Sequence, residues 1–357
     1  MDGMKEKTVS LGIIGCGKVA QGRHLPALKT IKEVRVVSLC DNNEDHLEQA
    51  GQKYRIKKRF LDYQELLADS EVEAVAVCTP LQSHFEIAKA VLGHGKHLLL
   101  EKPLALTLEE ADQLVDRSAA SGKKVMLGLN LRWHRLVRRS KRIIAGGALG
   151  PIRLVNCALS TAHFGRSIPD WRLKRAQGGG NLIENGTHIY DLWRYLLEDE
   201  IEEVQAVSLS SGEADDEPAA VTARTAKGAV LNAVLSDFLP DENRLDIFGQ
   251  NSLLRLSLHR FDGLEIRPLY SNAGSLKVRL RNAANFIRSV PGAVSQSRYG
   301  GFFDSTFRDQ WQHFIGCILH NRPSACTFED GRRALQVALA AVESARAGKG
   351  VEVRPAL

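Results

Sequence analysis

The feature that most constrains this chain is the rhythm of its first third, where short apolar runs alternate with amphipathic stretches. VSLGIIG, VRVVSLC, AVAVCT, KHLLL and KVMLGLN read as strands. Between them, EDHLEQAGQKY, YQELLAD, HFEIAKAVLGHG and TLEEADQLVDRSAASG carry helical periodicity. The last opens on Thr107 with Glu110 three residues on, a capping-box pattern. Strands that alternate with helices predict a parallel sheet covered on both faces. Such a sheet takes its ligand at the carboxyl ends of its strands. Pro26 would break a helix interior, so Gly22 to Leu25 is expected to be loop and Pro26 the start of a helix.

After residue 130 the pattern changes. PIRLVNCALSTA, IEEVQAVSLSS, AVTARTAKGAVLNAVLSDF and NRLDIFGQNSLLRLSL read as strands joined by short polar turns, with AKG and GQN as hairpin turns. Helical stretches interrupt them at 181–197, near 305–320 and at 329–347. The expected architecture is α/β: a Rossmann-type parallel sheet over 1–130, then an α+β domain over 131–357 on a large, mostly antiparallel open sheet. An open sheet with an exposed apolar face would be an interface, so a homodimer or homotetramer is expected. Residues 271–302 are ambiguous; RLRNAANFIRSV fits a basic amphipathic helix or an irregular insertion.

Composition narrows the class. With 44% hydrophobic and 25% charged residues, the 357-residue chain is expected to be a soluble globular protein. No apolar run approaches the ~20 residues of a membrane helix. The start, MDGMKEKTVS, lacks a secretory pattern, and six scattered cysteines form no C-x-x-C pair, so a cytoplasmic protein with reduced thiols is expected. No metal site is expected. The net charge of +6 is uneven: no acid lies between Asp116 and Asp170, or between Glu265 and Asp304, stretches with eleven and six basic residues. That balance suits an anionic small substrate better than nucleic acid, since no basic motif interleaved with aromatics occurs.

LGIIGCGKVA places Gly15, Gly17 and Ala20 in a G-x-G-x-x-A pattern directly after the first strand. The first glycine permits the tight turn, the second lets backbone approach a pyrophosphate, and the third small residue allows close helix packing. Lys18 and Val19 complete the expected dinucleotide turn. The second strand ends in Asp41, followed by Asn42 and Asn43. An acid there accepts hydrogen bonds from a ribose diol and repels a 2′-phosphate, so NAD is favoured over NADP. Further on, Glu184, His188 and Asp191 sit at i, i+4 and i+7 of a helix whose other positions are mostly apolar. Buried titratable groups need partners or a task.

Three blocks together, GIIGCGKVA, VCTPLQSHFEIAKAVLGHGKHLLLEKPLALT and GGGNLIENGTHIYDLWRYL, resemble the Gfo/Idh/MocA family of NAD(P)-dependent oxidoreductases. The resemblance runs on to the closing TFEDGRRALQVALAAVESARAGKGVEV. It implies hydride transfer at a secondary alcohol or ketone of a sugar, cyclitol or nucleotide sugar. It implies Lys102 as the cation that orients the reacting oxygen and steadies an alkoxide. Glu101 would contact the cofactor or fix the loop, and the Lys102–Pro103 bond is a candidate for cis. Thr79 and Pro80 would wall the dinucleotide, and His84 matches a histidine near the cofactor. His188 matches the family's general acid/base, and its unperturbed pKa near ~6.5 suits that role. Glu184 stands where the family commonly has Asp, and would orient His188 or neutralise Lys102. Trp171 and Arg172 match a W-R pair over the nicotinamide or substrate. Asn130 and Arg132, and Asp191 beside His188, match the substrate side; Arg132 could equally just start a basic helix. Two other readings stay open: glycoside cleavage by transient oxidation with tightly held NAD, and a non-catalytic NAD sensor.

Overall fold

The computed structural model describes residues 7–162, 168–211, 214–272, 274–297, 301 and 303–353, with the side chains of 295–297 outside that description. The chain divides into two units, Met1–Asn130 with Phe307–Arg332, and Leu131–Thr306 with Arg333–Leu357.

The first unit is built on strands β1 (Val9–Ile14), β2 (Val34–Cys40), β3 (Lys58–Phe60), β4 (Ala74–Val77), β5 (His97–Leu100) and β6 (Val125–Leu127). Their order is β3-β2-β1-β4-β5-β6, and every pairing is parallel. All four residues of β4 are buried, as a central strand covered on both faces requires. The chain order reverses between β1 and β4, which places the switch point at the ends of these two strands. The connecting helices are α1 (Leu25–Leu28), α2 (Glu44–Tyr54), α3 (Tyr63–Ala68), α4 (His84–Gly93) and α5 (Leu108–Ala120). Thr107 caps α5 as expected, its hydroxyl accepting from the Glu110 amide.

Two sequence expectations change here. β3 escaped the apolar pattern because it is three residues long, with Lys58 and Arg59 exposed at a sheet edge. Gly22–Leu25 is not loop: Ala20–His24 forms a π-helical turn that runs straight into α1. In an α-helix the Pro26 ring would clash with the Gly22 carbonyl; the wider turn, closed by the Leu25 amide on the Ala20 carbonyl, removes that conflict.

The second unit holds α6 (Arg135–Ala145), β7 (Ile152–Ser160), α7 (Asp170–Leu173), α8 (Asn181–Glu184), α9 (Gly186–Leu197), β8 (Ile201–Ser208), β9 (Ala219–Thr225), β10 (Val230–Ser236), β11 (Glu242–Gly249), β12 (Ser252–Ser257), β13 (Leu264–Pro268) and α10 (Leu276–Ser297). With β14 (Val351–Glu352) these strands form an eight-stranded sheet, β13-β12-β11-β7-β10-β9-β8-β14. Only β7 and β10 pair in parallel; the other six pairings are antiparallel. The expected hairpin turns fall between β9 and β10 and between β11 and β12. Strand β9 alternates strictly between buried and exposed residues, so one face is core. The other face is not uniformly apolar as anticipated. Val207, Val230 and Val234 are exposed there, among exposed polar groups that include a hydrogen-bonded Thr222–Asn232–Asn156 ladder.

Two long helices precede β14, α11 (Asp304–Leu319) and α12 (Phe328–Ala347). From Phe307 to Arg332 they belong to the first unit, not to the second as the sequence pattern suggested. Trp311 donates to His24 at 3.0 Å, the Leu127 amide donates to the Cys326 carbonyl, and Gly331 lies against Leu127 with no room for a Cβ. The remainder of α12 packs in the second unit, where the Ser344 hydroxyl accepts from the Ala206 amide. Among the described residues no helix is long and apolar enough to cross a membrane.

Candidate functional site

At the end of β1, Gly15 has φ +92°, and a Cβ there would sit 2.7 Å from the Cys78 carbonyl carbon and oxygen. Only glycine fits that turn. A Cβ on Gly17 would meet nothing within 4 Å, so its backbone faces open space. Lys18 and Val19 are exposed beside it, and Ala20 is fully buried. Asp41, at the end of β2, accepts from the Cys16 amide at 2.6 Å and the Asn43 amide at 2.8 Å. These bonds hold the carboxylate against the glycine turn while each oxygen keeps acceptor capacity. An open glycine turn plus a fixed acid at the neighbouring strand end fits the pyrophosphate and adenosine ribose of a dinucleotide. Burial and Asp41 together push the Cys16 thiol up, so it stays protonated.

The ends of β4 and β5 carry the other predicted residues of this unit. Ser83 donates to the Thr79 hydroxyl. His84 is buried, with Nδ1 2.8 Å from the Pro103 carbonyl and Nε2 2.9 Å from the Thr79 carbonyl. It therefore ties the TP turn to the E-K-P loop. The Lys102–Pro103 peptide is cis. Glu101 turns back on its own loop, accepting from the Lys102 amide at 3.2 Å, and meets His24 Nε2 at 2.9 Å. Of the two expectations for Glu101, these bonds describe a loop-fixing role.

His24 and Trp311 were not singled out in the sequence. His24 lies fully buried in the π-turn, edge-on to Phe307 and Trp311. Burial opposes a charge on this ring, while Cys78 and Glu101 favour it and pull upward on its pKa. Against that pull stands the indole N–H, which only donates and so requires a lone pair on Nδ1. The hydrogen-bond geometry is that of the neutral tautomer, with Nε2–H directed at Glu101.

In the second unit, α8 and α9 split the expected 181–197 helix at Asn185. Glu184 and Asp191 are buried, and His188 is of intermediate exposure. Arg172 spans several acceptors: its guanidinium lies 3.6 Å from Glu184, 3.2 Å from Asp237 and 3.3 Å from the Asn185 side-chain oxygen. Burial opposes its charge, but Glu184 and Asp237 outweigh that and raise its pKa. Asn185 also donates to Asp237, whose amide donates to Glu217. Asp237, Asn185 and Glu217 are thus further members of this network, and nothing local in the sequence marked them. Trp171, beside Arg172, is of intermediate exposure.

Arg132 and Asp191 form a buried ion pair, with Nε 2.8 Å from one carboxylate oxygen and 3.1 Å from the other. The Arg132 guanidinium stacks 4.9 Å over the Tyr195 ring. Asn130, just before this pair, is buried, its amide donating to the Gly128 carbonyl. Among the described residues no cluster of three or more metal-ligating side chains occurs.

Residues 9–129 match the family model GFO_IDH_MocA, "Oxidoreductase family, NAD-binding Rossmann fold", and residues 137–255 match "GFO/IDH/MocA C-terminal domain". Over 352 residues the chain is 26% identical to myo-inositol 2-dehydrogenase of Thermotoga maritima, covering 96% of this chain and 98% of that one. The fold is shared with the WlbA dehydrogenase of Bordetella pertussis, solved with NADH and UDP-GlcNAcA, at TM-score 0.82 and 20% identity over 99% of this chain and 100% of that one. It is shared equally with levoglucosan dehydrogenase, solved with NADH and L-sorbose, at TM-score 0.82 and 21% identity over 98% and 99%.

Proposed function

Because the chain belongs to the Gfo/Idh/MocA family of NAD-binding oxidoreductases, we propose that it oxidises or reduces one secondary carbinol of a neutral polyol, a cyclitol or free sugar. NAD, when bound, supplies the hydride acceptor. Gly15 and Gly17 hold its pyrophosphate through backbone, with Lys18 and Val19 at the turn, and Asp41 with Asn42 holds the adenosine ribose. Thr79, Pro80, Trp171 and Arg172 border the dinucleotide. Lys102 places a localised cation at the reacting oxygen, and His188 takes or returns the hydroxyl proton. Glu101 and His84 position Lys102 through the loop they anchor.

One observation carries the choice of a neutral substrate. Two arginines of the second unit, the buried Arg132 and the half-buried Arg172, meet acids of their own unit, Arg132 with Asp191, and Arg172 with Glu184 and Asp237. Cations already matched in this way offer an anionic sugar little net attraction. The full-length likeness to an inositol dehydrogenase supports the same choice. It revises the expectation, drawn from overall charge, of an anionic sugar. Asn130 and Glu184 then supply hydrogen bonds to hydroxyls, while Arg132 and Asp191 hold each other. As in the sequence expectation, the oligomer is a homodimer or homotetramer.

NADH formation on myo-inositol, free hexoses and a UDP-sugar acid tests this. The neutral polyols should give the larger kcat/KM; a preference of more than about tenfold for the UDP-sugar acid would overturn the substrate class. On the best substrate, His188→Ala and Lys102→Met should each lower kcat by about 10²- to 10⁴-fold with NAD affinity nearly unchanged. Near-full turnover in both variants would remove the catalytic assignment.

A further inference from the structure

Helix α10 inverts the usual surface pattern. Leu276, Leu280, Ile287 and Val294 fall at i, i+4, i+11 and i+18, on one face, and are 73%, 62%, 70% and 56% exposed. Ala283 and Val290 complete the same stripe. The opposite side is the attached one: Val278 and Ser289 are buried, Asn285 donates to the Leu264 carbonyl at 2.7 Å, and Arg281 reaches the Ile266 carbonyl. A surface helix normally turns its polar face outward. Here the outward face is apolar, and Leu269 and the 99%-exposed Tyr270 precede it.

The flanks of the stripe are cationic. Lys277, Arg279 and Arg288 lie on α10, and no carboxylate occurs between Glu265 and Asp304. Beside it, Arg139 of α6 reaches the Asn285 side chain at 3.5 Å, and α6 carries five cations and no acid. The steps of four and three residues along the stripe would suit a coiled coil with a second copy of this chain. That pairing would bring like-charged flanks together with no acid to answer them. An acidic polypeptide answers the cations but leaves the apolar stripe uncovered. An anionic bilayer answers both, with headgroups at the level of the cations and acyl chains below for the leucines and isoleucine.

We propose that α10 lies in the headgroup–acyl boundary of an anionic lipid bilayer and holds the enzyme peripherally at that surface. This contact is distinct from spanning and independent of the substrate reading.

The test is sedimentation of the full-length protein with vesicles of phosphatidylcholine alone and of equal parts phosphatidylcholine and phosphatidylglycerol. Each cation near an anionic surface contributes roughly fivefold. The mixed vesicles should bind at least ten times more tightly, and the excess should fade at high salt. Leu280→Glu with Ile287→Glu should weaken that binding about a hundredfold, with NAD affinity and solution size unchanged. Lys277→Gln, Arg279→Gln and Arg288→Gln together should weaken it by a similar factor without touching the stripe. The proposal is overturned if the two vesicles bind alike or not at all, or if the double glutamate variant sediments like wild type. It is equally overturned if that variant turns a dimer into a monomer, the sign of a second copy. Soluble polyglutamate that binds wild type and the double variant equally, and strips the protein from vesicles, would assign the surface to an acidic polypeptide instead.

Discussion

The dinucleotide turn of the first unit and the arginine network of the second solve the same problem, fixing polar groups in a buried setting, by opposite means. At Gly15, Asp41 and the E-K-P loop the geometry comes mainly from backbone groups: strand ends, a positive φ, amides that donate to Asp41 and Glu101, and carbonyls that meet His84. At Arg132, Arg172, Glu184, Asp191 and Asp237 it comes from side chains that hold one another. A backbone-built site loses function when a side chain is added. A side-chain-built site loses stability when one is taken away, because the partner stays buried and charged.

The largest effect expected from that contrast is in the second unit. Asp191→Ala leaves Arg132 buried without its bidentate carboxylate, and should cost about 3–5 kcal/mol in equilibrium urea unfolding. A loss below ~1 kcal/mol would place the pair with surface ion pairs and break the comparison. In the first unit, Gly15→Ala places a methyl 2.7 Å from the Cys78 carbonyl, at a φ where alanine is strained. NAD affinity, read by fluorescence titration, should fall about a hundredfold or more while the protein still folds. Unchanged affinity would mean that backbone geometry at this turn does not form the cofactor site.

The same contrast explains what could be read from the chain. The glycine turn, Asp41 and E-K-P were legible because their partners are near in sequence or at a fixed place in a strand–helix repeat. The 44–54 helix and the Thr107 cap were legible for the same reason. The Arg172–Asp237 and Arg132–Asp191 contacts join residues 65 and 59 apart, and His24–Trp311 joins residues 287 apart. No local period encodes such pairs. Pro26 misled because its usual helix-breaking effect was absorbed by a π-turn. For α10 the periodicity was visible, but it could not say that the apolar face points outward.

A smaller effect of the same sign concerns pH. His134 caps α6, its ring nitrogen accepting from the Leu136 amide at 3.2 Å. Burial, with Arg135 nearby, lowers its pKa to about 4. The unfolded ring titrates near ~6.5. Between those values the unfolded state binds the proton and the folded state does not, so stability falls as pH drops from ~6.5 to about 4 and then levels off. The loss should be about 3 kcal/mol. His134→Asn keeps a capping acceptor and removes the titration, so its acid arm should be flatter over that window. An unchanged arm would assign the acid sensitivity to other groups.

The smallest expected effect bears on whether side chains also govern the first unit. Trp311→Phe keeps most of the ring in the aromatic cluster around His24 and deletes only the indole N–H. One neutral hydrogen bond contributes about 1 kcal/mol, so urea stability should fall by roughly that much. If backbone holds the E-K-P loop, through the Glu101 amide on the Val77 carbonyl and the Gly128 amide on the Leu100 carbonyl, kcat should change by less than about threefold and NAD affinity not at all. Losing the donor also lifts the demand for a lone pair on Nδ1, so His24 becomes easier to protonate beside Glu101. NMR titration of the His24 ring should then show a higher pKa in the variant than in wild type. A hundredfold fall in kcat at near-wild-type stability would show instead that the Trp311–His24–Glu101 chain positions Lys102. The first unit would then be side-chain-built at its E-K-P loop and backbone-built only at the dinucleotide turn.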